Sequence, residues 1–365
     1  MRRNTNRRLT RMNADKTALD LGHRKRPLQK FLNKWCEETI RDSMQTKRDN
    51  QPTFFDLAIQ QRGTANKVLE TITREVDFSM AEQRVAATYG SGGRPACRVG
   101  VLLRIMILQH LYGLSDPQVE EQLNDRLSFQ KFVQLDAQEA VPDETTICRF
   151  RQRLMECNLH EQLLGLLNEQ LEAKGYLVKR TTLIDATIVE SSRKRPSVES
   201  AAAGTAPDAQ ASYTRKAGGS YYGYKAHVCS DTLHHLIQSA TISTAKVYDG
   251  LVFEQIVPVD TESVYGDKAY DTKANQAWLR ERRIKSGILK KPAHHIKLGR
   301  KDIKLNHQKG LIRRKIEHIF GHFKQWQGYR RARYLGLAKN QLELTLKAVA
   351  YNLKRLAKIT ALEKA

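Results

Sequence analysis

The stretch TTLIDATIVE (181–190) is where the hydrophobic pattern of the chain changes. It is rich in β-branched residues, which pack well on a pleated surface, so it predicts a strand. It holds one carboxylate, Asp185, flanked by Leu183, Ile184, Ile188 and Val189. A carboxylate placed there loses its hydration unless something compensates. A metal ion would compensate. The plainer reading is an aspartate that caps a turn at a strand end, and Asp185 alone does not separate the two.

Downstream, residues 191–220 are rich in Ser, Ala, Gly and basic side chains and predict a flexible loop. Strand-like runs follow at 222–229, 236–243 and 264–267. Helical signals lie at 251–256 and 273–283, a short strand at 286–289, and a helix from about 311 to 326. Three strands, then alternating helices and strands, then a final helix, is the element order of a ribonuclease-H-like α/β fold. Residues 335–359 predict a long amphipathic helix that returns onto the core.

Upstream, residues 66–172 read as helical. Apolar residues recur at helical spacing over 99–111, 119–123, 129–133, 146–154 and 159–171. GSGGRP (90–95), GLSDP (113–117) and VPDE (141–144) separate them. Ser115 or Asp116 can cap a helix that has Pro117 at its first position, and Asp143 can cap the next. Short helices joined by tight turns suit a helix-turn-helix bundle. The helix from Glu144 would then present Thr145, Thr146, Arg149, Arg151 and Arg153 to DNA. A plain bundle with a solvated basic face fits the same spacing. The expected organisation is a basic extension over 1–52 with a short helix at 28–40, a helical domain over 53–174, an α/β domain over 175–334, and the final helix over 335–365. The extension reads as a solvated tail or as an arm lying along phosphates.

The 365 residues carry a formal charge of +23, with 40 % hydrophobic residues. That hydrophobic share builds real cores, and the charge favours a polyanionic partner, nucleic acid first. A merely basic enzyme or a ribosome-associated protein is the alternative. The five cysteines are scattered and form no C-x-x-C pair, so a zinc ribbon or disulfide framework is not expected, and free thiols suit a reducing cytoplasm. MRRNTNRRLT (1–10) lacks the apolar core of a signal peptide. The apolar run 101–111 is short and interrupted by Arg104, so no membrane span is expected.

Two further acids stand out. Asp267, between SVYG and KAY, ends an apolar strand-like run, and two strand-end carboxylates can converge at one edge of an open sheet. Turn chemistry explains YGDKAYD equally well. Glu317 lies in RRKIEHIFGHFKQW (313–326), in a region with eighteen Lys or Arg and three acids between Arg280 and Arg333. Arg313, Glu317 and Lys324 are four and seven residues apart and share one helical face. That face sets a carboxylate between two cations. Lys225 and His227 share one strand face. His227 fits either a DNA contact near the site or a structural strand histidine. Trp326 and Tyr329 fit either base stacking or ordinary packing.

On LSDPQVEEQLNDRLSFQKFVQL, VPDETTICRFRQRL, LIDATIVESS, GYKAH, AKVYDG, VYGDKAYD, RRKIEHIFGHFKQW and YRRARYLGLAKN, the chain resembles bacterial insertion-sequence transposases of the DDE class, closest to the fifth insertion-sequence family. The resemblance spans roughly residues 53–355 and implies that Asp185, Asp267 and Glu317 are the catalytic metal ligands. It implies two Mg²⁺ ions, with Mn²⁺ able to substitute, and phosphoryl transfer on double-stranded DNA: the element's terminal inverted repeats and a target. A homodimer or higher oligomer on DNA is implied too. In the family's Tyr-Arg-Glu-Lys signature Arg313 falls on the Arg and Lys324 on the Lys. Gly310 stands at the Tyr position, and Tyr248 stands where a His is usual. The remaining expected DNA contacts are Lys225, His227, Arg149, Arg153 and Trp326. A ribonuclease-H-like nuclease without strand transfer, and a DNA-binding regulator without chemistry, are the rival readings.

Overall fold

Strand β1 (Thr181–Glu190) lies in the middle of a six-stranded sheet in a computed structural model of the chain. The structure describes residues 66–89, 97–136, 139–197, 200, 206–216, 218–292 and 296–363. The predicted basic extension and its helix at 28–40 lie outside the described residues.

The other strands are β2 (Ser212–Lys216), β3 (Gly219–Asp231), β4 (Ile237–Thr244), β5 (Ser263–Tyr265) and β6 (Lys285–Ser286), in the order β2-β3-β1-β5-β6 with β4 also on β3. β1, β3 and β4 are antiparallel neighbours, while β5 and β6 run parallel to β1. This is a ribonuclease-H-like sheet. Gly223 lets β3 run tight against the end of β1, since a Cβ there would stand 2.3 Å from the Val189 carbonyl oxygen.

The sheet corrects two expectations. The stretch 191–220 is not one flexible loop. Residues 212–216 and 219–223 pair as a hairpin, with Tyr213 packed on Tyr222 at 4.9 Å between ring centres. Tyr213, Thr214, Tyr221 and Tyr222, residue types that favour strands, outweigh the Ser and Gly content around them. The short strand is Lys285–Ser286 rather than 286–289.

Along β1, side chains alternate between faces. Ile184 joins Cys229, Phe253, Ile256, Val264, Trp278 and Leu279 in a buried cluster. That cluster is roofed by α8 (Phe253–Ile256), which follows a 3₁₀ turn at Asp249–Val252, and by α9 (Lys273–Glu281). Asp185 therefore points to the other face. There α10 (Arg300–Arg313), a 3₁₀ turn at Arg314–Ile316 and α11 (Glu317–Trp326) follow one another. The expected single helix over 311–326 is thus longer at its start and changes pitch immediately before Glu317.

The preceding helices are α1 (Lys67–Glu75), α2 (Ser79–Ala86), α3 (Val99–Tyr112), α4 (Asp116–Asp125), α5 (Leu127–Val133), α6 (Glu144–Glu156) and α7 (Leu159–Ala173). Every residue from Val101 to Leu111 of α3 is buried, as suits a helix at the centre of a bundle. Gly113 ends it in the left-handed conformation. Ser115 caps α4 in a capping box with Gln118, so Pro117 takes the second helical position rather than the first. Asp143 caps α6 by accepting from the Thr146 amide at 2.6 Å. The last helix, α12 (Leu337–Leu362), packs against α1, α3 and α7 as well as β4, so its apolar surface serves helices and sheet together.

That junction contains buried ion pairs. Arg151 binds Asp116 through both guanidinium nitrogens and lies over the Tyr334 ring. Lys347 meets Glu343 at 3.4 Å and donates to the Gln327 carbonyl at 2.7 Å. Burial and the charge of Lys347 together hold His110 well below its usual pKa, so it is neutral there.

Candidate active site

Asp185 is carried to its place by register. β1 and β5 pair in parallel as Thr181 with Ser263, Thr182 with Val264 and Leu183 with Tyr265. Continuing that offset by two residues sets Asp267 beside Asp185. Asp267 itself stands just past the end of β5 and caps the 3₁₀ turn Lys268–Tyr270, accepting from the Lys268 amide at 2.8 Å. Both readings of this residue therefore apply: it does turn chemistry, and it brings a second carboxylate to the edge where β1 and β5 adjoin.

Asp185 feels its surroundings strongly. Burial raises its pKa from 3.8 to about 6, and the charge of Asp267 adds to the rise. Arg313 and the Ala186 amide oppose it. The raised value shows that desolvation wins over these partners.

Arg313 links the acids. Its Nη1 donates to Asp185 Oδ2 at 2.5 Å and its Nη2 reaches Glu317 Oε1 at 3.4 Å. One guanidinium, only a fifth exposed, thus spans an equally sheltered carboxylate and one that is 58 % exposed. Its Nε has no hydrogen-bond partner. Beneath the site the Tyr270 hydroxyl is buried, also without a partner. Burial pushes its pKa up, and the charges of Asp185, Asp249 and Asp267 add to the rise.

Three carboxylates offer hard oxygen donors of the kind that bind Mg²⁺ or Mn²⁺. Among the described residues, however, no three His, Cys, Asp or Glu side chains are gathered closely enough to hold an ion. The donor chemistry fits, and the spacing does not while Arg313 lies between Asp185 and Glu317.

The remaining predicted residues fall into two groups. Lys324 is half-buried on α11, its pKa lowered by burial and by Lys216 and Arg330. Trp326 is 70 % exposed and Arg149 is exposed, while Arg153 is half-buried on α6. Others are taken up inside the fold. Lys225 donates to Asp249 at 2.9 Å and to the Val247 carbonyl at 2.8 Å. His227 is fully buried against Ser243 and burial pushes its pKa down to about 4, so it offers no face to DNA. Arg151 is in the Asp116 pair rather than on the α6 surface. Tyr329 is fully buried beside Phe323 and under Lys347, so it does not stack on a base. Each of these sits where the fold closes a buried gap that a one-dimensional pattern does not display. Gly310 faces open space on α10. Tyr248 is partly exposed, its pKa raised by what burial it has and by the charges of Asp249, Asp271 and Asp267. Lys216 lies in the segment whose composition predicts a loop, and the strand-favouring Tyr213, Thr214, Tyr221 and Tyr222 on either side of it are the signal for a hairpin.

Two family models match the chain. Residues 57–153 match a family model described as a transposase domain (DUF772), and residues 176–353 match one described as a transposase DDE domain. Among solved structures, the chain is similar to the piggyBac transposase in a synaptic complex with hairpin DNA, at 9 % identity and a TM-score of 0.41, covering 82 % of this chain and 74 % of that one. No helix among the described residues is long and apolar enough to cross a membrane.

Proposed function

Because this chain belongs to the DDE transposases of insertion sequences, we propose that Asp185, Asp267 and Glu317 are its catalytic carboxylates, acting on the terminal inverted repeats of its element. The observation that carries the proposal is a desolvated carboxylate, Asp185, beside Asp267 and tied to Glu317 by a single arginine. A purely structural aspartate in this strand would have its charge matched by dedicated partners. Asp185 instead shares its one cation with a second acid.

In this reading the three carboxylates hold two Mg²⁺ ions, which Mn²⁺ can replace, once Arg313 swings away from Asp185. Such ions, when bound, make a nucleophile of water or of a 3′-hydroxyl and stabilise the leaving oxygen of an in-line displacement. The reaction is cleavage at the element's end followed by attack of the freed 3′-hydroxyl on target DNA. Arg313 then serves as a phosphate ligand, with Lys324 further along the same helical run. Trp326, which is exposed, stacks on an unpaired base in this reading. Arg149 and Arg153 of α6 contact duplex phosphates within a DNA-binding portion over 53–174, ahead of a catalytic portion over 175–334. Two copies of the chain hold two element ends, and the relationship is to the fifth insertion-sequence family.

The test is a divalent-ion-dependent cleavage assay on the inverted repeats that flank the reading frame. Asp185→Asn, Asp267→Asn and Glu317→Gln should each abolish cleavage while binding persists. Wild-type cleavage by all three variants overturns the assignment. A pre-nicked 3′ end should be joined to target DNA; hydrolysis without joining would make the protein a nuclease instead.

A further inference from the structure

Beyond the carboxylates lies a group of cations that form no ion pair among the described residues. Lys216 closes β2 and Lys324 lies in the last turn of α11. Arg330 follows the corner where Gly328 takes the left-handed conformation. Three separate segments bring them together. Glu190, at the end of β1, donates its amide to the Arg330 carbonyl at 3.0 Å, and the Ala332 amide donates back to Glu190 at 2.7 Å. That anchors the segment after α11 to the strand that bears Asp185. β2 is tied to β3 by pairing from Ser212–Gly223 to Lys216–Gly219, and β3 crosses the same end of β1 at Gly223. Burial lowers the pKa of Lys324, Lys216 and Arg330 each add to that fall, and Lys216 also acts on Asp185.

None of the three side chains forms an ion pair with another described residue, in contrast to Lys225, Lys347 and Arg151. Lys216 and Arg330 are exposed, and Lys324 is half-buried. Like charges that act on one another repel and are tolerated where an anion spends time among them. The anion has to be multivalent or repeating to satisfy three cations. A nucleic-acid backbone presents phosphates at such intervals.

We propose that Lys216, Lys324 and Arg330 form a phosphate-binding notch that holds the DNA backbone beside the bond lying at Asp185 and Asp267. The inference rests on the transposase reading for the identity of the ligand as DNA. The new element is the pair Lys216 and Arg330, which turns the signature lysine of α11 into one wall of a three-sided site. Through Lys216, the β2–β3 hairpin becomes part of the substrate path.

The experiment measures binding of the full chain to a fluorescent duplex carrying the element's end, by anisotropy over a KCl series in EDTA, so that no chemistry intervenes. Lys216→Ala and Arg330→Ala should each reduce the slope of log K against log salt by about 0.9, the value for one lost phosphate contact. The double variant should lose about twice that, and Lys216→Arg should restore the wild-type slope. Both side chains are exposed and outside any ion pair, so the variants should melt with the wild type. Slopes unchanged in both single variants would overturn the notch. Cleavage assayed separately keeps the two ideas apart. Reduced slopes in a protein that neither cuts nor joins DNA would keep the notch and sink the transposase reading. Intact cleavage with unchanged slopes would do the reverse.

Discussion

Two regions of this molecule place charges in poorly hydrated surroundings, and they do so in opposite ways. At the junction of α12 with the helical bundle, Arg151 is matched to Asp116 and Lys347 to Glu343, one cation to one acid. Hydrogen bonds from Gln109 and to the Gln327 carbonyl use further polar capacity. At the edge of β1 and β5, two acids share Arg313 and a third carboxylate lies alongside. The first region is electrostatically closed. The second is open: it has more negative charge than its own residues answer, and a neighbouring notch has more positive charge. Structural pairs reach balance within the fold, whereas a site that must admit ions and phosphates stays unbalanced until they arrive.

The widest gap between the two regions should appear on removing one acid from each. Glu343→Ala leaves Lys347 buried without its counter-ion, and should cost about 3–5 kcal/mol of stability in urea unfolding. Asp185→Asn should cost nothing at neutral pH. Burial raises the Asp185 pKa to about 6, so the folded chain holds that proton more tightly than the unfolded chain does. The resulting stabilisation is full below the unfolded value near 3.8 and is lost as pH rises through about 6. The amide of the variant has no such proton, so Asp185→Asn should match or exceed the wild type above that window and show a flatter pH profile across it. A neutral-pH loss for Asp185→Asn as large as that for Glu343→Ala would erase the distinction.

How far these regions are legible in the sequence follows the same division. The β-branched run around Asp185 and the caps at Ser115 and Asp143 depend on near neighbours, and local pattern finds them. The spacing of Arg313 and Glu317 is local too, and their contact is a one-turn contact. The contact of Arg313 with Asp185 crosses 128 residues and comes from the packing of α10 on the sheet, which no periodicity encodes. The same holds for Asp267, placed by a strand register, and for Arg151, which shares its helix with the more exposed Arg149 and turns inward to Asp116. The hairpin that carries Lys216 is masked by composition, because Ser and Gly dominate 191–220 and its strand partners Tyr221 and Tyr222 lie just beyond that stretch.

A smaller effect should sharpen the role of the shared cation. Arg313→Gln leaves Asp185 facing burial and Asp267 with only the Ala186 amide and the more distant Lys216 in opposition. In EDTA above pH 6 the variant should lose about 2 kcal/mol, the scale of a charged group deprived of its hydrogen-bonding partner. Added Mg²⁺ or Mn²⁺ should recover more stability in the variant than in the wild type, since an ion that binds only the folded chain stabilises it by mass action and no longer competes with the guanidinium. Equal gains in both proteins would show that Arg313 does not stand where an ion binds.

The smallest effect belongs to the position where this chain departs from the signature. Gly310 lies inside α10, and a Cβ there meets nothing within 4 Å. Gly310→Tyr should therefore be accepted without repacking. Exchanging glycine for tyrosine within a helix should even stabilise it by about 0.5 kcal/mol, read as a small upward shift in the melting temperature. The gain should also appear in DNA binding, because α10 leads directly into Arg313 and the new side chain lies one turn before it. If α10 belongs to the open region, the tyrosine should raise affinity for the element's end, with little change for Gly310→Ala, which supplies the helix propensity and no ring. If both substitutions stabilise the helix and neither alters DNA binding, the unbalanced surface ends at Arg313 and α10 belongs with the structural part of the molecule.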